Sequence, residues 1–97
     1  MSPERPGHRF RARLDSIGVN RCLDLPSQVS RALRADPHGD HPVRVTIGGV
    51  VFTARLEPRD VGLHRLYIPA RVWKDLHCEL GDLLVGRIET DSEPAKP

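Results

Sequence analysis

Cysteine is scarce. The 97-residue chain has two, Cys22 and Cys78, far apart and in no CxxC pattern. That spacing argues against a disulfide framework and a cysteine zinc site, and makes a reducing cytoplasm the expected compartment. Long apolar runs are missing too. No stretch approaches the roughly 18 residues of a membrane-crossing helix, so no membrane partner is expected. The opening MSPERPGHRF is basic and proline-rich without an apolar core, so no secretory leader is expected. A strong charge of one sign is also lacking. Fifteen Lys+Arg against thirteen Asp+Glu leave +2, too little by itself to demand a nucleic-acid or membrane reading. The length allows one domain with one modest core.

The chain carries self-similarity. Phe10, Ala12, Arg13 and Leu14 recur as Phe52, Ala54, Arg55 and Leu56, an offset of 42. The run from Leu23 through Leu25-Pro26 and Val29 to Leu33 recurs as Leu66, Ile68-Pro69, Val72 and Leu76, an offset of 43. Each half reads strand, loop, strand, proline, short helix, strand. Two copies are too few for a solenoid. Two interlocked halves that close one barrel bury both faces and remove the open sheet edges. The expected architecture is therefore mainly β: a small closed barrel of two pseudo-twofold repeats, 10–47 and 52–89, capped by two short helices. One barrel domain over 9–91 would sit between a flexible arm, 1–8, and a flexible tail, 92–97.

Local patterns support this reading. Phe10, Ala12 and Leu14 alternate with Arg9, Arg11 and Arg13, so the strand is half buried with arginines on its wet face. Val43, Val45 and Ile47 alternate in the same way. Gly48-Gly49 marks a two-residue hairpin, because such turns need positive φ. A two-residue loop pairs Ile47 with Val50, Val45 with Phe52 and Val43 with Ala54, every pair apolar. A slip of one residue would destroy that agreement. Pro26 and Pro69 should stop their strands and suit a first helical turn. Val29 with Leu33, and Val72 with Leu76, then make one apolar stripe per helix.

Leu66-Tyr67-Ile68-Pro69, Val72, Leu76 and the Gly81-Asp82 turn resemble the swapped-hairpin fold of AbrB, MazE and MraZ. From Phe10 to Asp91 the chain is more similar to a small bacterial domain-of-unknown-function family with YdeI/OmpD-associated relatives. The shared features are the Phe-x-Ala-x-Leu opening, the Ile-Gly-Gly-x-x-Phe hairpin, Pro58 to Gly62 with His64 beyond, and Gly81-Asp82. The resemblance implies a double-split barrel and no established activity. Two positions depart from it. Gly48 stands where relatives often carry Asn, and Gly86 where they usually carry a β-branched residue. Gly86 aligns with the inward Leu84 and Ile88, so it marks a bend or a small internal pocket.

Site chemistry is sparse. His38 and His41 lie beside Asp36 and Asp40, but a Pro/Gly loop does not preorganise metal ligands, and no metal or cofactor is expected. Adjacent His77 and Cys78 point in different directions and make no catalytic pair. No nucleophile or paired carboxylate accompanies His64. Catalytic residues are not expected.

Two functional readings stay open. The first is a non-catalytic binding module that meets DNA weakly through Arg9, Arg11, Arg13, Arg44 and Arg55, since arginine forks suit phosphate. Residues 1–44 hold eight Arg against five acids, while 45–97 hold seven Lys+Arg against eight acids. The plainer alternative is a solvated sheet face. The second reading is a small-molecule pocket or minor enzyme near His64, Tyr67 and Gly86. The ligand is unknown, and the protein is expected as a monomer or homodimer, since two halves in one chain need no partner to close.

Overall fold

The computed structural model describes residues 7–91. Seven strands and two short helices follow in the order β1 (His8–Arg13), β2 (Asp15–Ile17), β3 (Asn20–Asp24), α1 (Ser27–Leu33), β4 (His41–Ile47), β5 (Val50–Asp60), β6 (Leu63–Ile68), α2 (Ala70–Asp75) and β7 (Leu83–Thr90). All pairings are antiparallel, in the order β1-β7-β4-β5-β6-β3-β2. The sheet curls into a half-barrel, and more than half of the described residues lie in strands. The tail expected over 92–97 lies outside the described residues, as does the arm up to residue 6. His8, expected in that arm, instead opens β1 opposite Ile88.

Alternation decides which face is wet. Phe10, Ala12 and Leu14 are buried, as are Val43, Val45, Ile47, Phe52, Leu56, Leu66, Ile68, Leu84 and Ile88, and together they form one core. The arginines between them stand outside. The hairpin at Gly48-Gly49 has the expected register, Ile47↔Val50, Val45↔Phe52 and Val43↔Ala54. Both glycines have positive φ, 55° and 83°, which a two-residue hairpin loop requires.

Two places let strands change partners. The first part of β5 pairs with β4 as far as Leu56, and from Leu56 onward β5 pairs with β6. Likewise β1 pairs with β7 and β2 with β3, with only Leu14 between β1 and β2. Leu14 is itself tied down: its N–H donates to Asp82 O at 2.8 Å and its carbonyl accepts from Gly81 N at 2.8 Å.

The helices cap the apolar interior with their expected stripes. Val29, Leu33 and Val72 are buried, and Leu76 packs against the core half-buried. Pro26 and Pro69 precede their helices at the N-cap, in nearly the same extended conformation. A proline there leaves no strand N–H unpaired and fixes φ for the entry.

Gly86 has a steric reason. A Cβ there would collide with the backbone carbonyl of Thr46 and come within 2.9 Å of Ile47 Cγ1 and 3.1 Å of the Phe10 ring. Close approach of β7 to β4 beneath Phe10 requires the glycine. The inner wall at this point is filled, so no internal pocket opens at Gly86.

Candidate functional site

The sequence-predicted arginines gather on the outer face of the sheet. Arg9, Arg11 and Arg13 project from β1, Arg44 from β4 and Arg55 from β5, all exposed. Alternate residues of a strand share a face, about 6.7 Å apart. Arg87 belongs with them, because β7 runs between β1 and β4 and pairs Arg87 with Arg9 on one side and with Thr46 on the other. Arg87 lies outside the set expected from the sequence, although it stands next to the inward Ile88 in β7. Among the described residues, none of Arg9, Arg11, Arg44, Arg55 and Arg87 forms an ion pair. Arg13 donates through Nη1 to Gly81 O at 3.0 Å. Leu83, Val85 and Val51 stand exposed among them. Glu89, opposite Arg44, is an acid in this array.

Farther along the sheet the charges are paired. Asp24 accepts from Arg65 Nε at 3.1 Å and lies 3.6 Å from Arg59 Nε. The hydrogen bond to Asp24 raises the Arg65 pKa.

A groove of about 590 Å³ opens between β5 and β6 on the N-terminal side of Leu56, where the two strands part. Thr53, Arg55, Glu57 and Tyr67 form its sheet side, and Pro69 and Trp73 its helix side. Trp73 is half-buried, with the Arg21 guanidinium 4.6 Å from its ring centroid and Lys74 Nζ 5.7 Å away. A cation over an aromatic face is attracted by the ring quadrupole.

A second cleft, of about 350 Å³, runs along α1. Ser27, Ser30, Arg31 and Arg34 form its helix side, and Pro37, Gly62 and His64 its far side. His64 is almost wholly buried, and its Nε2 lies 2.9 Å from Asp36 O.

His64, Tyr67 and Gly86 are therefore not brought into one cleft. His64 lines the α1 cleft, Tyr67 lines the groove at the β5–β6 split, and Gly86 lies under Phe10. The remaining candidates are tied locally. His41 Nε2 bonds Thr90 Oγ1 at 2.9 Å, and Asp36 Oδ1 accepts from His38 N at 2.9 Å. Among the described residues no group of three or more His, Cys, Asp or Glu could hold a metal ion. Cys22 and Cys78 are free thiols, and burial pushes both above the ordinary thiol range. No helix among the described residues is long and apolar enough to cross a membrane.

The curled antiparallel sheet and the two short capping helices define a small, mainly β domain. The chain belongs to the family described as Domain of unknown function (DUF1905), whose family model matches residues 10–86. No curated protein and no solved structure matches it.

Proposed function

We propose that this domain is a non-catalytic binding module that takes a nucleic-acid backbone on its outer sheet face. The observation that carries the reading is the convergence of Arg9, Arg11, Arg44, Arg55 and Arg87 on adjoining strands without ion-pair partners among the described residues. Arg13 extends the row. Guanidinium groups free of carboxylates keep their donors for phosphate. The rise along β1 and the spacing between strands set these donors in a grid that suits a phosphate backbone. Binding would be weak, sequence-tolerant and steeply salt-dependent.

Fluorescence anisotropy of a labelled duplex across a salt series tests this. Binding at low salt should weaken with a linear log–log slope. Replacing Arg9, Arg11 and Arg87 together by Gln should reduce that slope by roughly 0.9 for each phosphate that is no longer neutralised. No binding at low salt, or a slope unmoved by the triple variant, would end the proposal. The exposed Leu83 and Val85 on the same face make a second copy of the chain the competing occupant, and light scattering at the same concentrations separates the two.

The same reading extends the half-barrel to a closed, duplicated double-split barrel like that of AbrB-type proteins. Its support is positional. Arg34 and His77 both have φ 54°, 43 positions apart, the first directly after α1 and the second one residue beyond the C-cap of α2. Val29 N and Ser30 N reach Pro26 O at 2.9 and 3.3 Å, and Val72 N and Trp73 N reach Pro69 O at the same two distances. With β1 and β2 taken as one bent strand through Leu14, the two ends of the strand order meet. Two free thiols suit a cytoplasmic home.

A further inference from the structure

We infer that the cleft along α1 binds a small oxyanion that carries its own O–H, hydrogen phosphate being the simplest. Two polar side chains at this cleft are more than nine-tenths buried: Ser30 at 3% exposure and His64 at 1%. Ser30 Oγ and His64 Nδ1 are both shut off from solvent with no hydrogen-bond partner among the described residues. Buried polar atoms are nearly always bonded, so two orphans on residues that line one cavity call for an explanation.

The imidazole state follows from its one bond. His64 Nε2 lies 2.9 Å from the Asp36 carbonyl oxygen. A carbonyl oxygen can only accept, so Nε2 carries the proton, and the tautomer that bonds Asp36 O leaves Nδ1 as an acceptor. Whatever satisfies Nδ1 must donate. Ser30 Oγ can give or take. Arg31 and Arg34 line the same cleft and are exposed at its rim. Ser27, Ser30 and Arg31 fall at i, i+3 and i+4 of α1, and Arg34 follows as its left-handed C-cap, so two hydroxyls and two guanidinium groups line the cleft from this side. A ligand that donates to Nδ1 while offering negative charge to arginine is an oxyanion that retains a proton.

The other helix shows why the cleft exists. Ser30 and Trp73 correspond at the 43-residue offset, and so do Arg21 and His64. On the α2 side the indole fills the space and Arg21 lies 4.6 Å over it. On the α1 side a serine leaves the space open and a histidine nitrogen unpaired. The cleft needs none of the sheet arginines assigned to nucleic acid.

Inorganic phosphate and sulfate are the discriminating probes, matched in shape and in ionic strength. At pH 7.5 phosphate keeps an O–H and sulfate has none. The full chain, labelled with 15N in histidine, is titrated with each. Phosphate should give a saturable shift of the His64 Nδ1 resonance, at least tenfold tighter than any response to sulfate. Ser30→Ala should weaken phosphate severalfold with an unchanged melting midpoint. His64→Gln should abolish it, because the glutamine amide nitrogen can keep the bond to Asp36 O while the Nδ1 acceptor is gone. If His64→Gln does not fold, Ser30→Ala and the phosphate-to-sulfate ratio decide. No saturable shift, equal affinity for both anions, or phosphate binding indifferent to Ser30→Ala would overturn the inference.

Discussion

Ser30 and Trp73 occupy corresponding places on the two helices, and the two sides of the molecule fill the space beneath them differently. Around α2 the indole is packed against the core and roofed by Arg21. Around α1 the short hydroxyl leaves a cleft with two unsatisfied polar atoms at its wall. The strand pairs differ in the same way. Phe52 faces Val45 across β4 and β5, while Phe10 faces Gly86 across β1 and β7. One pair is built of two side chains; in the other, the ring covers bare backbone. Strand pairs built on similar stretches of sequence can therefore set different side chains against one another, and here the difference concentrates polar chemistry on one side.

The sharpest way to break this comparison is at the strand pairs. Gly86→Ala drives a Cβ into the Thr46 carbonyl, which is backbone and cannot swing away. It should cost about 3 kcal/mol, the upper end of ordinary overpacking. Val45→Ala at the corresponding position leaves only a small void and should cost about 2 kcal/mol. Urea midpoints of both variants test the order, and a Gly86→Ala protein as stable as the parent would show that close approach is not what the glycine serves. Trp73→Ser makes the α2 side resemble the α1 side. Removing a half-buried ring and the cation interaction it supports should cost about 2 kcal/mol. The reciprocal change, Ser30→Ala, removes a hydroxyl with no partner among the described residues and should fall within about 0.5 kcal/mol of zero. If both changes cost the same, the two sides are not different in the way described. Asp24→Asn weakens the pairing with Arg65 and Arg59, but all three groups are partly exposed, so urea melts should register less than about 1 kcal/mol.

Much of the fold could be read from residue order. The Gly48-Gly49 hairpin was legible because a two-residue loop leaves one register in which every inward pair is apolar. The helices were legible because Pro26 and Pro69 end strands and the stripes Val29/Leu33 and Val72/Leu76 follow. Arg9, Arg11 and Arg13 were legible as one face by period two. Other features depend on packing between distant segments. Arg87 joins the arginine face only because β7 inserts between β1 and β4, a pairing no local pattern states. The α1 cleft needs Ser30 and His64, which are 34 positions apart and meet only when β6 packs beside α1. The i, i+3, i+4 run Ser27-Ser30-Arg31 on α1 was a visible signal for half of it. Gly86 read as a pocket or a bend because alternation gives the direction of a missing side chain and not what lies there.

The α1 side should also respond to acid, and there the expected effect is smallest. His41 sits near the cleft, held by Thr90 Oγ1. Burial lowers its pKa from the ordinary 6.5, the neighbouring His64 imidazole adds to the lowering, and Asp36 opposes it. Above 6.5 the ring is neutral in both folded and unfolded chains. As pH falls below that value the unfolded chain takes up the proton first, so the stability present above pH 6.5 is lost as pH falls through the lower folded value. His41→Gln should flatten the part of the urea-midpoint decline between pH 7.5 and 5.5 that belongs to this ring, while leaving the carboxylate-driven decline at lower pH. An NMR titration midpoint for His41 at or above 6.5 would mean that the ring is better hydrated than its packing against β7 implies. The α1 side would then have lost one of the features that set it apart from α2.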